Sequence, residues 1–218
     1  DAYAMKDQLS HVSPRTQNRN LPYTPVPPAD VLKNEPDTDF DLPQNQEWVR
    51  SIFSKWKKDG TEQPEIIPLQ IGAETVVCES RYPYTDRCQD DEVCICEMSQ
   101  ADSAQVEKII EIAEADPAGW RKTTLEERHR IMYEAANRLA DMRGDLIGCM
   151  CAVTGKTVIE GDVEVSEAVD YARFYTTAMK KFAALDDVEM KPKGTILVIS
   201  PWNFPCAIPV GGIVAVSY

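Results

Sequence analysis

The polar residue best placed to do chemistry in this sequence is Asn203, which lies between two prolines. The run before it, 194–199, is short, apolar and β-branched, which is typical of a buried strand, and Pro201 should end that strand because it has no N–H to donate. Pro205 has the fixed φ of a first helical position, so a buried helix is predicted from there to Val216. Asn203 would then lie at the carboxyl end of a strand, where open α/β sheets bind ligands. Its amide could donate hydrogen bonds to a developing oxyanion without carrying charge.

Two structural alternatives stay open around this loop. Asparagine is a preferred N-cap, so Asn203 could instead cap the helix predicted at Pro205. Cys206 is close in sequence, but it lies within a Pro-Cys-Ala-Ile-Pro run that enters a helix, and no base is near it. We interpret Cys206 as a packing residue and not as a nucleophile.

The sequence motif around Asn203 resembles that of a known protein family. Residues 199–205, Ile-Ser-Pro-Trp-Asn-Phe-Pro, resemble the Pro-Trp-Asn-Phe-Pro signature of the aldehyde dehydrogenase superfamily. Earlier segments resemble that family's preceding helices, in the family's order: Gly119-Trp120-Arg121, Leu125-Glu126-Glu127-Arg128, Thr154-Gly155-Lys156 and Tyr171-Ala172-Arg173-Phe174-Tyr175. The resemblance covers roughly residues 66–216. It implies an α/β fold: an incomplete, helix-rich N-terminal part of the family's Rossmann-like NAD-binding domain.

The resemblance also implies a role for each residue of the loop. Asn203 matches the catalytic asparagine that donates to the oxyanion of the thiohemiacetal, and Phe204 matches an aromatic that walls the aldehyde pocket. The positions that border the nicotinamide of NAD, with NADP also possible, are matched by Ile199, Ser200, Pro201 and Trp202. Ordinary core and loop packing would account for the same apolar residues.

Glu167 is the remaining candidate, in the middle of a predicted helix over 158–182. In the pyrroline-carboxylate branch of the family, a glutamate at the matching place lines the aldehyde pocket, which implies a substrate-binding role. A solvated surface acid is the alternative that its position permits. The family's thiolate nucleophile, its glutamate base and its Lys-Pro cofactor strand have no match here, so we expect no turnover from the isolated chain.

The chain is predicted to have three parts. Residues 1–46 are rich in proline and should form an extended linker that runs over a surface or stays mobile; residues 47–65 should form a connecting helix, and residues 66–218 a truncated aldehyde dehydrogenase domain. Within the linker, 34–40 resembles the segment that joins proline dehydrogenase to the aldehyde dehydrogenase module in bifunctional proline-catabolic enzymes. FAD would belong only to such an upstream domain. An acidic loop is the alternative.

Apolar periodicity predicts the elements that hold these residues. Helices are predicted over 46–58, 102–115, 124–143, 145–153 and 158–182, two short strands within 65–78, and a strand over 92–98. Thr124 and Glu127 have the spacing of a capping box. In the resembled family the early strands belong partly to an arm used in oligomer assembly, which implies a homo-oligomer.

Composition excludes several classes of protein. Lys and Arg number 23 against 36 Asp and Glu, and a net charge of −13 argues against nucleic acid or an anionic membrane as partner. No apolar run reaches the length of about 18 residues that a spanning helix needs. The seven cysteines lack the spacing of a zinc site, and His11 and His129 are far apart, so no metal is expected. Reduced thiols and a cytoplasmic location are predicted.

The resemblance implies that the chain is part of an NAD(P)-dependent enzyme that oxidises glutamate γ-semialdehyde to glutamate in proline catabolism. Its partners would be a small aldehyde and the rest of the same polypeptide or an intact subunit. Two alternatives remain: a dehydrogenase of another semialdehyde, such as succinate semialdehyde, and a truncated, non-catalytic homologue that acts by association.

Overall fold

The computed structural model describes residues 15–58, 60, 62–89 and 93–218. The helices in these ranges are α1 (Pro43–Trp56), α2 (Ser103–Ala115), α3 (Leu125–Asp141), α4 (Arg143–Thr154), α5 (Val158–Ala183) and α6 (Ala207–Val216), with a 3₁₀ turn at Trp120–Lys122. The strands are β1 (Glu65–Ile67), β2 (Leu69–Ile71), β3 (Glu74–Val76), β4 (Arg81–Thr85) and β5 (Cys94–Ser99). The first 14 residues of the predicted linker, with His11, and the predicted strand start at Glu92 lie outside the described residues.

Helix α5 is the centre of the fold. It has 26 residues, about 39 Å at ~1.5 Å per residue, and begins with a capping box between Thr157 and Glu160. One buried cluster joins α5 to α4 and α6 through residues that include Val165, Ile147 and Ala207. A second cluster joins it to α3 and α6. Because α5 contributes to both clusters, its direction fixes the position of α6 and of the loop before it.

The strands form two small sheets. β1 pairs in parallel with β5, β5 pairs antiparallel with β4, and β2 and β3 form a separate antiparallel pair. Residues 65–78 thus contain three short strands where two were predicted, because Pro68 falls between β1 and β2. β4 was not predicted; it contains Pro83, which an edge strand tolerates since one side of it needs no hydrogen bonds.

The predicted buried strand over 194–199 is wrong. The segment makes no strand ladder with any described residue, and Leu197 and Ile199 are 79% and 84% exposed. A strand needs a neighbour to bond its backbone, and none of the described strands lies beside this run. Its apolar side chains are therefore largely exposed, except that of Val198, which is partly buried beside Gly212 of α6.

Several helix boundaries also differ from the predictions. α6 begins at Ala207, two residues after Pro205. The break between α3 and α4 falls at Met142, so Gly144 lies inside α4 and does not separate the two helices. The connecting helix α1 begins at Pro43, which occupies a first-turn position where its missing N–H costs nothing. None of the described helices is long and apolar enough to cross a membrane.

Residues 15–42 have no helix or strand, and they pack along the helices. Glu35 is buried between two arginines, with Arg173 Nη1 3.0 Å and Arg143 Nη2 3.5 Å from its carboxylate. The Thr38 N–H donates to Asp162 Oδ2 at 2.6 Å. These contacts hold the segment against α4 and α5.

Candidate functional site

Asn203 lies at the tip of a turn and is exposed to solvent. The N-cap of α6 is Cys206, with no side-chain cap, so the structure rules out the helix cap as the role of Asn203. No hydrogen bond joins the Asn203 amide to another residue in the described ranges. Both of its N–H groups are therefore free to donate to a ligand.

The four residues proposed to border a nicotinamide precede Asn203 on the same segment. Ile199 and Trp202 are 84% and 77% exposed, and Pro201 is exposed as well, while Ser200 is partly buried. Their apolar faces suit contact with a flat aromatic ring, so these residues fit one side of a nicotinamide. The nearby start of α6 does not suit the phosphates of the cofactor, because the carboxylate of Glu164 already occupies its N–H groups.

Cys206 is not a usable nucleophile in this structure. Its side chain is 8% exposed, and burial, with the nearby charge of Glu164, raises the pKa of the thiol to about 12. Thiolate is the reactive form, and almost none exists at neutral pH under these conditions. The packing interpretation of Cys206 is confirmed.

Two residues that the sequence did not single out hold the loop in place. Glu164 Oε1 accepts the N–H of Cys206 at 2.7 Å and that of Ala207 at 3.1 Å. Lys156 Nζ lies 2.7 Å from the other carboxylate oxygen and 4.2 Å from the ring centroid of Phe204. Lys156 was part of the Thr-Gly-Lys resemblance, whereas Glu164 carried no signal, because acids near a helix start are common.

Glu167 is only partly exposed and accepts a hydrogen bond from Tyr171 Oη at 3.0 Å. That bond, with some burial, raises the pKa of Tyr171. Tyr171 in turn packs on α6, since a Cβ at Gly211 would lie 3.0 Å from its ring. Glu167 is thus a fixed acceptor and not a freely solvated acid.

Glu167 and Trp202 of the Asn203 loop line different cavities. Glu167 lines a groove of about 590 Å³ between α5 and residues 32–37. Trp202 lines a different cavity, of about 940 Å³, together with Tyr82 and Tyr84 of the edge strand.

Metal-binding groups do not assemble in the part of the chain that is described. No cluster of three or more His, Cys, Asp and Glu side chains there could hold an ion. The seven cysteines are free thiols. His129 is buried against Tyr133, with ring centroids 4.9 Å apart, so it is a core residue.

Known proteins resemble this chain in sequence and in fold. The model of the Aldehyde dehydrogenase family matches residues 77–216. A 1-pyrroline-5-carboxylate dehydrogenase of Geobacillus sp. (strain WCH70) is 31% identical over 193 residues, which are 84% of this chain and 37% of that protein. One from Bacillus mycoides (strain KBAB4) is 28% identical over 195 residues, 83% of this chain and 36% of that protein.

Solved structures of similar proteins also match the fold of this chain. The crystal structure of a 1-pyrroline-5-carboxylate dehydrogenase from Thermus with bound NAD has a TM-score of 0.76 at 25% identity and covers 86% of this chain and 38% of its own. Proline utilization A from Bdellovibrio bacteriovorus has a TM-score of 0.74 at 21% identity, covering 90% of this chain and 21% of its own, a likeness of fold. The chain spans a little over a third of the curated relatives it matches. It belongs to the aldehyde dehydrogenase family.

Proposed function

We propose that this chain is the N-terminal part of an NAD(P)-dependent dehydrogenase that oxidises glutamate γ-semialdehyde to glutamate in proline catabolism. The observation that carries the proposal is the free, exposed amide of Asn203 on the loop that bears the family signature. The names of the relatives from Geobacillus and Thermus support the choice of aldehyde. The activity belongs to the longer polypeptide, because the chain spans 37% of such a relative.

In that polypeptide, the residues described here bind and orient the aldehyde and the cofactor. The Asn203 amide donates to the oxygen on which negative charge develops when a cysteine thiolate, supplied outside these residues, attacks the aldehyde. Ile199, Ser200, Pro201 and Trp202 provide one wall for the nicotinamide, and Phe204 provides an apolar wall for the aldehyde. NAD, or NADP, supplies the hydride acceptor when bound. Glu167 lines the substrate pocket only if added residues join its groove to the loop.

The proposal extends to the oligomeric state of the whole enzyme and to its cellular compartment. The exposed run 196–199 suits a neighbouring strand from the rest of the polypeptide, and a homo-oligomer is the proposed state of the whole enzyme. Seven free thiols support a reducing compartment, the cytoplasm. FAD would be used only if a proline dehydrogenase domain is fused upstream. Purified on its own, the chain should not reduce NAD with glutamate semialdehyde, because Cys206, the thiol nearest Asn203 in sequence, is buried and protonated.

The substitution Asn203→Ala in the full-length enzyme tests the proposal. Turnover should fall by roughly 10²–10³-fold, about 2.7–4 kcal/mol, the usual cost of one oxyanion donor. The KM for NAD should change little, since the bond is made in the transition state. Initial rates of NAD reduction measure both.

Two further variants make the test specific. Asn203→Asp should also be slow, because its negative charge repels the oxyanion. Asn20→Ala is the matched control: its exposed amide donates to the Gln44 carbonyl, far from the loop in sequence, and turnover should be normal. A fast Asn203→Asp enzyme would exclude the catalytic role. A wild-type enzyme that is active on succinate semialdehyde and inactive on glutamate semialdehyde would replace the proposed substrate.

A further inference from the structure

Lys156 and Glu164 form a buried ion pair directly behind the Asn203 loop. Their side chains are 14% and 1% exposed, and the ammonium nitrogen lies 2.7 Å from Glu164 Oε2, as an ion pair and not as an aligned hydrogen bond. A buried carboxylate is costly unless its charge is compensated. Here the compensation comes from one lysine and from the first N–H groups of α6, which carry the positive end of the helix dipole.

Local sequence explains why Lys156 can reach this position. Gly155 ends α4 with φ +72°, a left-handed conformation that favours glycine, and so turns the chain back on itself. Thr157 then caps α5 through its capping box with Glu160. Lys156 is held between these two fixed points, eight residues before Glu164, which lies in the second turn of α5. The Thr154-Gly155-Lys156 motif thus determines where the ammonium group of Lys156 lies.

The pair contacts the loop on both sides of Pro205. Lys156 lies over the ring of Phe204, and Glu164 holds the N–H groups of Cys206 and Ala207. Asn203 is the residue immediately before Phe204, and it has no hydrogen bond of its own to another described residue. Its orientation therefore depends on residues that the pair holds.

We propose that Lys156 and Glu164 are positioning residues that set the orientation of Asn203 for catalysis. The proposal rests on the proposed function, since it assumes that Asn203 is the oxyanion donor. The pair would act through the backbone from which the amide is presented. Misplacing a catalytic group by about 1 Å can cost roughly 10²-fold in rate, so the effect is measurable.

The first experiment measures the hold on the loop without any activity. Amide hydrogen exchange, followed by NMR on the 218-residue chain, should be at least about tenfold faster at Cys206 and Ala207 in Glu164→Gln, because a neutral acceptor bonds more weakly than a carboxylate. The Val210 amide, which donates to the Cys206 carbonyl at 3.1 Å, is the reference within α6. Unchanged exchange at Cys206 and Ala207 would overturn the proposal.

Matched controls separate this pair from a general loss of charge. Lys180, also on α5, pairs with Asp30 and Glu126 at the surface, and Lys180→Met should leave the exchange at Cys206 unchanged. If Glu164→Gln does not fold, the double variant Lys156→Met/Glu164→Gln removes both charges and leaves none unpaired. The same acceleration is expected there, and its absence counts against the proposal.

The second experiment is a double-mutant cycle in the full-length enzyme. Glu164→Gln should lower turnover by about 10- to 100-fold with little change in the KM for NAD. In the Asn203→Ala background the same change should cost less than about threefold, because the group it positions is gone. Equal losses in both backgrounds would overturn the proposal while leaving the proposed function standing. A wild-type enzyme without aldehyde-dependent NAD reduction would instead overturn the proposed function, and with it the catalytic part of this inference.

Discussion

Two segments without regular secondary structure, 15–42 and 191–205, reverse the usual relation between polarity and burial. The first is polar, yet Glu35 and Thr38 are only 7% and 6% exposed. The second is apolar, yet Leu197 and Ile199 are 79% and 84% exposed. In these two segments, burial therefore follows the availability of partners and not hydrophobicity.

Two residues of the N-terminal segment, Glu35 and Thr38, are buried because the helices supply complementary groups. Carboxylates on α5 accept its backbone N–H groups, with Asp170 receiving Glu35 at 2.7 Å and Asp162 receiving Thr38 at 2.6 Å. Side chains thus take the place of a neighbouring strand. Arg143 and Arg173 neutralise the carboxylate of Glu35. Within the described part of the chain, no side chain accepts a backbone N–H of residues 191–205, although Lys156 contacts the ring of Phe204.

The largest effect on stability is expected from Glu35→Gln. Removing one member of a buried ion network leaves uncompensated charge, so the free energy of unfolding of the chain should fall by about 3–5 kcal/mol. Urea denaturation followed by circular dichroism measures the change. Glu111→Gln, an exposed acid on α2, is the control and should lie within about 0.5 kcal/mol of the wild type.

The outcome discriminates between a docked segment and a loose linker. If the two substitutions cost the same small amount, Glu35 is not buried in solution, and 15–42 is a mobile linker. A large loss for Glu35→Gln alone shows that the segment is part of the folded unit. Only that larger loss would support the contrast between a docked polar segment, 15–42, and an exposed apolar segment, 191–205.

Local patterns in the sequence predicted the helices well and the two segments poorly. The long helix at 158–182 and the capping box at Thr124 follow from periodicity and from spacing over three residues, and both are present. Glu35 meets Arg143 and Arg173 from more than 100 positions away, which no local pattern records. The run 194–199 has the composition of a strand, but pairing depends on a neighbour that composition does not provide.

The residues of the candidate site also divide into those that a local motif predicted and those that only the tertiary structure reveals. The sequence pointed to Asn203, Ile199 and Phe204 because they lie within one recognisable motif, residues 199–205. Glu164 was missed because its role requires knowing that α6 begins opposite the first turns of α5. Periodicity gives the face of a helix but not what that face meets.

A smaller effect is expected from pH, through His129. This side chain is 1% exposed, and burial lowers its pKa, with the nearby Lys180 acting in the same direction. As the pH falls below about 6.5, the unfolded chain takes up the proton first, so stability present above that pH is lost on acidification. The slope attributable to one proton is at most about 1.4 kcal/mol per pH unit.

Urea titrations at several pH values, on the wild type and His129→Gln, isolate this contribution. The variant should show a shallower loss of stability below pH 6.5 than the wild type, because Gln does not titrate. Since Tyr133, which packs on His129, donates to the Ala29 carbonyl at 3.2 Å, acid should also loosen part of the N-terminal segment. Parallel pH curves for the two proteins would show that His129 does not contribute.

The smallest effect is expected in the second segment. Ile199→Ala should change the free energy of unfolding of the isolated chain by less than about 0.5 kcal/mol, because a side chain 84% exposed has little burial to lose. Ile147→Ala is the matched control: the same residue type, fully buried in the cluster that joins α4, α5 and α6, should cost about 2–5 kcal/mol. Both values come from urea denaturation at low protein concentration. A loss above about 1 kcal/mol for Ile199→Ala would show that the run is covered in solution, as the sequence predicted. If that loss grew with protein concentration, the cover would be a second copy of the chain, and the contrast between the two segments would hold only for the monomer.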